Sequence, residues 1–324
     1  MATWPEALDG PAAQTLKSVL DAAAVPALRS VLVAQQGRLV AERYFGGMGP
    51  DMLQPVNSVT KSVASLLVGQ ALAQGRIGSL SQTVGELLPE MAARFPESAA
   101  ARATLRQVLT GQSLIAHDML ADAAALRKAA DPLAWIFQRP ALEALPAPGW
   151  TYNDAAVALL APVLEHAWGQ PLEQIAQHHL FQPLGITRFA ADRDGSGRPM
   201  AYAGLRLTAR DHLKLAWLAA HGGQWQGAQV VPRDWVAQST QRQGPTAWRV
   251  PPVTDIGYGF LWFTGRLHGH AVAWGWGYGA QFALAVPALQ LAVATNAVPS
   301  RQAPLGEQNR VVMAVVADVV RALG

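Results

Sequence analysis

Segments with strand character stand at both ends of the chain, and a long helix-rich stretch separates them. Near the N-terminus, residues 30–34 and 38–45 are rich in Val, Leu and aromatic residues around a Gln36-Gly37 turn, which predicts a β-hairpin. Between about residue 80 and residue 220 the apolar residues recur mainly at helical spacing. Strand character returns late in the chain, at residues 257–264, 270–274, 281–286 and 289–295. One antiparallel sheet built from both ends of the chain is the simplest fold for this order.

This order predicts an α+β fold with two domains. Residues 1–79 and 221–324 are expected to form an α/β sandwich, in which helices near residues 12–24 and 306–323 flank the antiparallel sheet. Residues 80–220 are expected to form an inserted, mainly helical domain. Ligand sites commonly lie between two such lobes, so we expect the functional site in that cleft.

Composition excludes several classes of protein. Of the 324 residues, 51% are hydrophobic and only 15% are charged, which is typical of a chain with a large core and not of a disordered one. The net charge is +3, and basic residues are scattered, as at Arg94, Arg102, Arg106, Arg127 and Arg139. Nucleic-acid-binding proteins usually carry a dense basic stripe, so we expect no nucleic-acid partner. Because cysteine is absent, thiol catalysis, disulfides and cysteine-ligated zinc are excluded.

The sequence favours a cytoplasmic protein without a membrane span. Residues 1–6 lack the basic start and apolar stretch of a signal peptide, although a periplasmic location stays open if a leader was removed. The longest uncharged stretch, residues 281–298, contains Pro287, Gln290 and Asn296. It is therefore interpreted as two strands and a turn. The oligomeric state is left open.

The segment Asn57-Ser58-Val59-Thr60-Lys61 is the sharpest chemical feature. Ser58 is predicted at the start of a helix, and Lys61 follows on the same face one turn later. A serine hydroxyl becomes a good nucleophile when a nearby base takes its proton, and a lysine can do so if burial lowers its pKa. Lysine occurs at only four positions of the chain, which makes a chance match less frequent. The alternative is an ordinary helix start with a surface lysine.

Two further segments could complete a site. The loop Pro148-Gly149-Trp150-Thr151-Tyr152-Asn153-Asp154 precedes an apolar stretch, 155–168, that is predicted to be one helix, and it could present the Tyr152 phenol. The alternative there is a capping Asn or Asp beside a packed tyrosine. The glycine-rich segment 274–281 leads into a strand, where a free backbone N–H could form half of an oxyanion hole. The alternative is a glycine turn with its aromatic residues folded onto the core.

Together these segments resemble the serine beta-lactamase and penicillin-binding-protein superfamily, in particular its class C-like branch. That branch includes esterases of the beta-lactamase fold, D-aminopeptidases and 6-aminohexanoate-oligomer hydrolases. The resemblance covers nearly the whole chain and includes segments 105–110, 181–186, 204–211 and 257–262, in the family's order.

The resemblance implies a beta-lactamase-like fold and roles for named residues. Ser58 would be the nucleophile, Lys61 and Tyr152 the general base and acid, and the backbone N–H groups of Ser58 and Tyr278 the oxyanion hole. The expected substrate-binding residues are Asn153, Asp154, Trp274, Trp276 and Gly277. The cleft walls are expected to include Trp135 and Trp248 as well as Trp274 and Trp276.

Two departures from the family pattern bear on the substrate. The family's Tyr-x-Asn motif ends in Asp154 here, which can accept a hydrogen bond from Lys61 but cannot donate one to a substrate carbonyl. The family's Lys-Thr-Gly motif is replaced by Gly275-Trp276-Gly277, so the side chains that hold the carboxylate of lactam antibiotics are missing. These departures favour a small ester or amide as substrate.

Two other functions stay open at this stage. One is a beta-lactamase or D-Ala-D-Ala carboxypeptidase, and the other is a catalytically silent binding protein of the same fold. No cofactor is expected. The pairs His178-His179 and His268-x-His270 lack companion ligands, so no metal site is expected either.

Overall fold

A computed structural model describes residues 11–21, 23, 25–299 and 305–324 of the chain. Within these ranges the strands form one large sheet and two small ones. In chain order the strands are β1 (Leu28–Gln35), β2 (Arg38–Tyr44), β3 (Gln54–Pro55), β4 (Ala190–Ala191), β5 (Leu205–Leu207), β6 (Gln224–Trp225), β7 (Ala228–Gln229), β8 (Thr254–Tyr258), β9 (Phe263–Leu267), β10 (His270–Gly277), β11 (Gln281–Val286) and β12 (Leu291–Ala297).

The large sheet joins the two ends of the chain, as the sequence predicts. Its seven strands lie in the order β2-β1-β12-β11-β10-β9-β8. Strands β1 and β12 pair antiparallel, with Val31 opposite Thr295 and Val33 opposite Val293. Every residue of β11 and β12 is buried. Both strands are therefore covered on their two faces, which explains why their sequences are nearly continuous apolar runs instead of alternating patterns.

Helices cover the sheet and fill the middle of the chain. In chain order they are α1 (Pro11–Asp21), α2 (Val59–Ala73), α3 (Val84–Leu87), α4 (Pro89–Arg94), α5 (Ala99–Arg102), α6 (Leu105–Thr110), α7 (Ala123–Lys128), α8 (Pro132–Phe137), α9 (Asp154–Ala158), α10 (Leu160–Trp168), α11 (Leu172–Ala176), α12 (Ala209–Ala220), α13 (Arg233–Ser239) and α14 (Leu305–Leu323). The terminal helices α1 and α14 pack on each other. None of the helices that the structure describes combines the length and the apolar character needed to cross a bilayer.

Helix α2 lies against strand β10 at very short range. A Cβ atom on Gly275 would stand 2.9 Å from the Ser62 Oγ and 3.0 Å from the Val59 Cγ1. Contacts this short are rare for real Cβ atoms, so a side chain at this position would force the side chains of Ser62 and Val59 to move. The absence of a side chain at Gly275 therefore lets the helix that follows Ser58 rest directly on the sheet.

The segment predicted as one strand, 257–264, forms two strands, and the prediction is wrong there. Strand β8 ends at Tyr258 and β9 begins at Phe263, and the two pair antiparallel. Leu261, between them, has a φ of +62°, and a Cβ on Gly259 would lie 2.1 Å from the Ser239 carbonyl oxygen. The sequence did not indicate the turn between β8 and β9, because the connecting residues are as apolar as the strands.

The helix predicted over 155–168 is divided at Leu159 into α9 and α10. Pro162 lies one turn after Ala158 and has no N–H to donate to its carbonyl, so the helical hydrogen-bond series is interrupted there. The predicted N-terminal helix over 12–24 is observed as α1, which ends at Asp21, and residues 22 and 24 lie outside the described ranges.

The division into two domains stays a prediction. Helices α3 to α11 all belong to the predicted insertion, but α12 packs on strands β1, β11 and β12 of the large sheet. We therefore propose that the insertion ends near residue 208 and not at residue 220.

Candidate active site

Ser58 lies in a tight turn between β3 and α2. The Val56 N–H donates to the Leu205 carbonyl over 2.9 Å, which fixes the start of the turn, and Asn57 has a left-handed φ of +50°. The N–H groups of residues 59–61 donate to the carbonyls of residues 56–58, so the turn runs directly into the helix. Ser58 occupies the N-cap position, but its hydroxyl makes no capping hydrogen bond and is left for other partners.

Lys61 is buried at the centre of the site. Its side chain is on the first turn of α2, and the residue is only 2% exposed. The Nζ lies 3.1 Å from the Ser58 Oγ, 2.7 Å from the Asp154 Oδ1 and 2.7 Å from the Tyr202 carbonyl oxygen. The structure therefore brings Ser58 and Lys61 together and adds two oxygen partners that orient the amine.

The electrostatic balance at Lys61 favours the neutral form of the amine. Burial lowers the pKa of Lys61 because the charged form loses its hydration, and the Asp154 carboxylate raises it by a smaller amount. The net direction is downward from the ordinary value of 10.5. A lysine with a lowered pKa is neutral over a wider pH range, and in that form it can accept the proton of Ser58.

Tyr152 completes a cluster with Ser58 and Lys61. The Lys61 Nζ lies 4.6 Å from the centre of its ring, and Ser58 is close enough to influence the pKa of the phenol. Burial and the nearby Asp154 carboxylate raise the pKa of Tyr152 well above 10, while the interaction with Ser58 acts in the opposite direction. Tyr152 is therefore a neutral phenol near pH 7 and can donate a proton.

Aromatic side chains hold the Tyr152 ring in place. Trp248 stacks on it with ring centroids 4.5 Å apart and planes at 23°. Trp276 packs edge-on against Trp248, with ring centroids 5.3 Å apart. Trp276 is only 7% exposed, so it supports the site through Trp248 more than it faces the cleft. Trp135, another expected wall residue, packs under the guanidinium of Arg139.

The side chains of Asn153 and Trp274 are buried and do not face the cleft. Asn153 is 4% exposed and caps α9 by accepting from the Ala156 N–H, while its amide donates to the Ile115 carbonyl. Trp274 is fully buried. Because neither side chain is accessible, we leave both out of the substrate contacts that we propose below. For Asn153, the structure has the capping arrangement that the sequence offered as the alternative.

The third segment, residues 274–281, forms a turn close to the loop that holds Ser58. Gly277 ends β10 and pairs with Gln281, and Tyr278 lies in the intervening turn with 56% of its surface exposed. A Cβ on Gly277 would lie 2.3 Å from the carbonyl oxygen of Val56, two residues before Ser58 in the chain. Within the described residues, neither the Ser58 N–H nor the Tyr278 N–H has a protein acceptor. Both N–H groups are thus available to a ligand.

Two residues near the site were missed by the sequence reasoning. The Tyr202 carbonyl binds Lys61, but no sequence signal marks a backbone acceptor, since every residue has a carbonyl. The His117 side chain is fully buried, with its Nδ1 3.6 Å from the Asp122 Oδ2. Burial lowers the pKa of His117 against the opposing effect of the Asp154 and Asp122 carboxylates. Its place in a loop that could not be positioned from sequence explains why it was missed.

The described part of the chain holds no group of three His, Asp or Glu side chains arranged to bind a metal ion. His179 instead packs on Trp168, with ring centroids 3.9 Å apart, and His268 lies exposed in the turn before β10.

Comparison with known families identifies the family to which this chain belongs. A family model described as Beta-lactamase matches residues 13–314 of the chain. The chain belongs to the Beta-lactamase family. The match confirms the resemblance that the motifs indicated.

Relatives in this family carry hydrolase names. The chain is 29% identical over 220 residues to the 6-aminohexanoate-dimer hydrolase of Paenarthrobacter ureafaciens, a match that covers 63% of this chain and 55% of the relative. It is 26% identical over 193 residues to the esterase EstB of Burkholderia gladioli, with coverages of 52% and 46%. The chain thus spans about half the length of these curated relatives.

A solved structure has the same fold over almost the whole chain. EstCE1, described as a hydrolase with promiscuous acyltransferase activity, matches with a TM-score of 0.76 at 18% identity and covers 95% of this chain and 100% of its own. The predicted α+β, beta-lactamase-like fold is therefore confirmed. The hydrolase and esterase relatives support the assignment to a serine hydrolase family, while the roles of individual residues stay predictions.

Proposed function

We propose that the protein hydrolyses an ester or amide bond through an acyl-enzyme on Ser58. The observation that carries the proposal is the buried amine of Lys61, 3.1 Å from the Ser58 Oγ. Burying a lysine is costly, and buried lysines with a lowered pKa are typical of functional sites. Here the amine contacts the hydroxyl of Ser58, the N-cap residue of α2.

In the acylation step, neutral Lys61 accepts the proton of Ser58 as the Ser58 Oγ bonds to the substrate carbonyl carbon. The carbonyl electron pair moves onto the oxygen, and the N–H groups of Ser58 and Tyr278 would stabilise that negative charge. The low exposure of Lys61 supports this step, because a base works best when its pKa lies near the working pH.

When the tetrahedral intermediate collapses, the bond from carbon to the leaving group breaks. Tyr152 donates its phenolic proton to the leaving oxygen or nitrogen and recovers a proton from the Lys61 ammonium. The raised pKa of Tyr152 supports this role, since the residue is then protonated before the step. Water subsequently attacks the acyl-enzyme with the same groups acting in reverse, and the acid is released.

The third segment favours a substrate without a carboxylate. Gly275 has no side chain, and the indole of Trp276 is buried against Trp248 and Phe263. The two positions that hold the lysine and threonine of the family motif, 275 and 276, therefore present neither a cation nor a hydroxyl to a substrate. We infer a neutral ester or amide as the substrate class, and we keep Asp154 and Gly277 as residues that line it.

Labelling with a fluorophosphonate probe tests the proposal. We expect peptide mass spectrometry to find the probe on Ser58 and not on other serines, and Ser58→Ala to abolish labelling. A panel of acyl esters, linear amides and lactams then ranks the substrates, with Ser58→Ala as the control in every assay. Labelling elsewhere with Ser58 untouched contradicts the assignment of the nucleophile. No turnover of any member of the panel favours the catalytically silent alternative.

A further inference from the structure

Asn57 connects the nucleophile to the turn that carries Tyr278. It directly precedes Ser58 in the chain, and its side-chain Nδ2 donates to the Tyr278 carbonyl over 2.8 Å. Its φ of +50° places it in the left-handed region, which asparagine tolerates better than most residues. The backbone strain next to Ser58 thus coincides with a hydrogen bond between the two segments that hold the proposed oxyanion hole.

Gln281 fixes the same turn from the side of the sheet. It is 1% exposed, and its Nε2 lies 3.3 Å from the Tyr278 carbonyl oxygen, 3.2 Å from that of Gly279 and 2.5 Å from that of Ala297. Its Oε1 accepts from the Asn296 amide and from a backbone N–H of β12. The side chain therefore ties two turn carbonyls to the adjacent strand.

The turn itself needs such restraint. Gly279 and Ala280 have consecutive left-handed φ values of +79° and +66°, and Ala280 is fully buried. A non-glycine residue in this region costs free energy and persists where its surroundings determine the conformation. The hydrogen bonds from Asn57 and Gln281 hold the turn in this conformation.

We propose that Asn57 and Gln281 are positioning residues that fix the Tyr278 N–H relative to the Ser58 N–H. The inference rests on the proposed acyl transfer at Ser58, because that reaction creates the negative charge that both N–H groups would bind. Interactions with that charge exist in the transition state and are weak in the ground state. Misplacing one N–H should therefore lower kcat and leave KM nearly unchanged.

Substitutions at Asn57 separate the effect of the side-chain hydrogen bond from the effect of the left-handed backbone conformation. Asn57→Gly keeps the left-handed backbone accessible and removes only the amide, and Asn57→Asp keeps the shape but cannot donate to the Tyr278 carbonyl. For each we expect a fall in kcat of at least about tenfold, since loss of one oxyanion donor typically costs 10²–10³-fold. Binding of a boronic acid, which forms a tetrahedral adduct on serine, should weaken by a similar factor.

Gln281→Met and Gln70→Met form a matched pair. Gln70 is also a buried glutamine whose amide donates to two carbonyls, those of His179 and Val230, but it lies at the far end of α2. Both variants lose a buried amide, so similar losses of stability are expected. We expect only Gln281→Met to lower kcat for the folded enzyme and to weaken boronic acid binding.

Hydrogen exchange measured by mass spectrometry tests the turn without any substrate. Peptides covering residues 276–283 should exchange faster in Asn57→Gly and Gln281→Met than in the wild type or in Gln70→Met. Unchanged exchange together with wild-type kcat in Asn57→Gly would overturn the inference. The proposed function fails separately, if the wild type is not labelled at Ser58 and cleaves no ester. Even then, unchanged exchange in both variants would overturn the inference that Asn57 and Gln281 fix the turn.

Discussion

The ring of Trp248 lies against the ring of Tyr152 in a near-parallel stack, although the two residues are far apart in the chain and belong to different loops. The contact fixes the position of the Tyr152 ring, whose centre lies 4.6 Å from the Lys61 Nζ. Trp248 is thus a residue that acts on the proposed chemistry through Tyr152 without touching the nucleophile.

Trp248→Ala is expected to lower kcat/KM about tenfold, because a misplaced catalytic group loses much of its effect. Trp248→Phe should recover most of the activity, since a ring can still stack on Tyr152. Trp168→Leu, which removes a buried indole from its contact with His179, is the control for general loss of stability. Equal kcat/KM values for Trp248→Ala and the wild type would show that Tyr152 is held by other contacts.

Lys61→Ala and Tyr152→Phe should each lower kcat by at least about 10²-fold, the usual range for loss of a general acid or base. The double variant should be much more active than the product of the two losses predicts, because the residues act as one proton-transfer unit. Steady-state kinetics on one ester measures all four proteins. Losses that multiply fully would mean that the two groups act independently.

The pH profile should respond to Asp154. This carboxylate raises the pKa of Lys61 against the larger, opposite effect of burial, so Asp154→Asn lowers that pKa further. The neutral amine then persists at lower pH, and the acidic limb of the kcat/KM profile is expected to move to lower pH. Glu165→Gln is the control, since Glu165 is similarly buried and pairs with Arg198. A shift to higher pH would contradict the proposed role of Lys61 as base.

Burial of His212 predicts that the free energy of unfolding falls at acidic pH. Burial lowers the pKa of this histidine from 6.5 to about 4, so between these values the unfolded chain binds a proton that the folded chain does not. Stability therefore falls as the pH drops from 6.5 to 4, by about 3 kcal/mol from this group.

Urea unfolding at several pH values should show a smaller loss of unfolding free energy in His212→Gln than in the wild type. His268→Asn, at an exposed turn, serves as the control and should follow the wild type. An identical pH dependence in His212→Gln and the wild type would mean that His212 is not buried in its neutral form.

Nitrocefin should be a much poorer substrate than p-nitrophenyl butyrate. A lost charge-assisted hydrogen bond to the lactam carboxylate costs about 1.5–3 kcal/mol, or roughly 10- to 150-fold in binding. Comparing kcat/KM for the two compounds measures this preference. A higher value for nitrocefin would point to another cation, such as the exposed Arg249 beside Trp248, and Arg249→Ala would then identify it. Arg301, a second candidate from the sequence, lies outside the described residues.

The sequence predicts the local part of the site and not its long-range contacts. Ser58 and Lys61 are one helical turn apart, so their contact follows from the helix alone. The contact of Lys61 with Asp154 required the family resemblance, and its contact with the Tyr202 carbonyl required the structure. Side-chain direction was the other unknown, since Asn153 and Trp274 have the right residue types for a site but face the interior.

The fold was predictable where apolar periodicity changed clearly along the chain. The sheet built from both termini follows from strand patterns that are separated by helical ones. The division of 257–264 into two strands was not predictable, because its turn is apolar and depends on the approach of Gly259 to a distant carbonyl.

The close approach of Gly275 to α2 also limits how this chain could be engineered. A lysine at Gly275 would restore the cation of the family motif, but its Cβ would be forced against Val59 and Ser62, on the same helix as Lys61. The substitution that adds a binding group for antibiotics would thus crowd the helix that carries the proposed base. Directed evolution toward lactam substrates should therefore recruit a cation from the loops at the rim, and libraries that randomise the loop around Arg249 are better starting points than those that rebuild the strand.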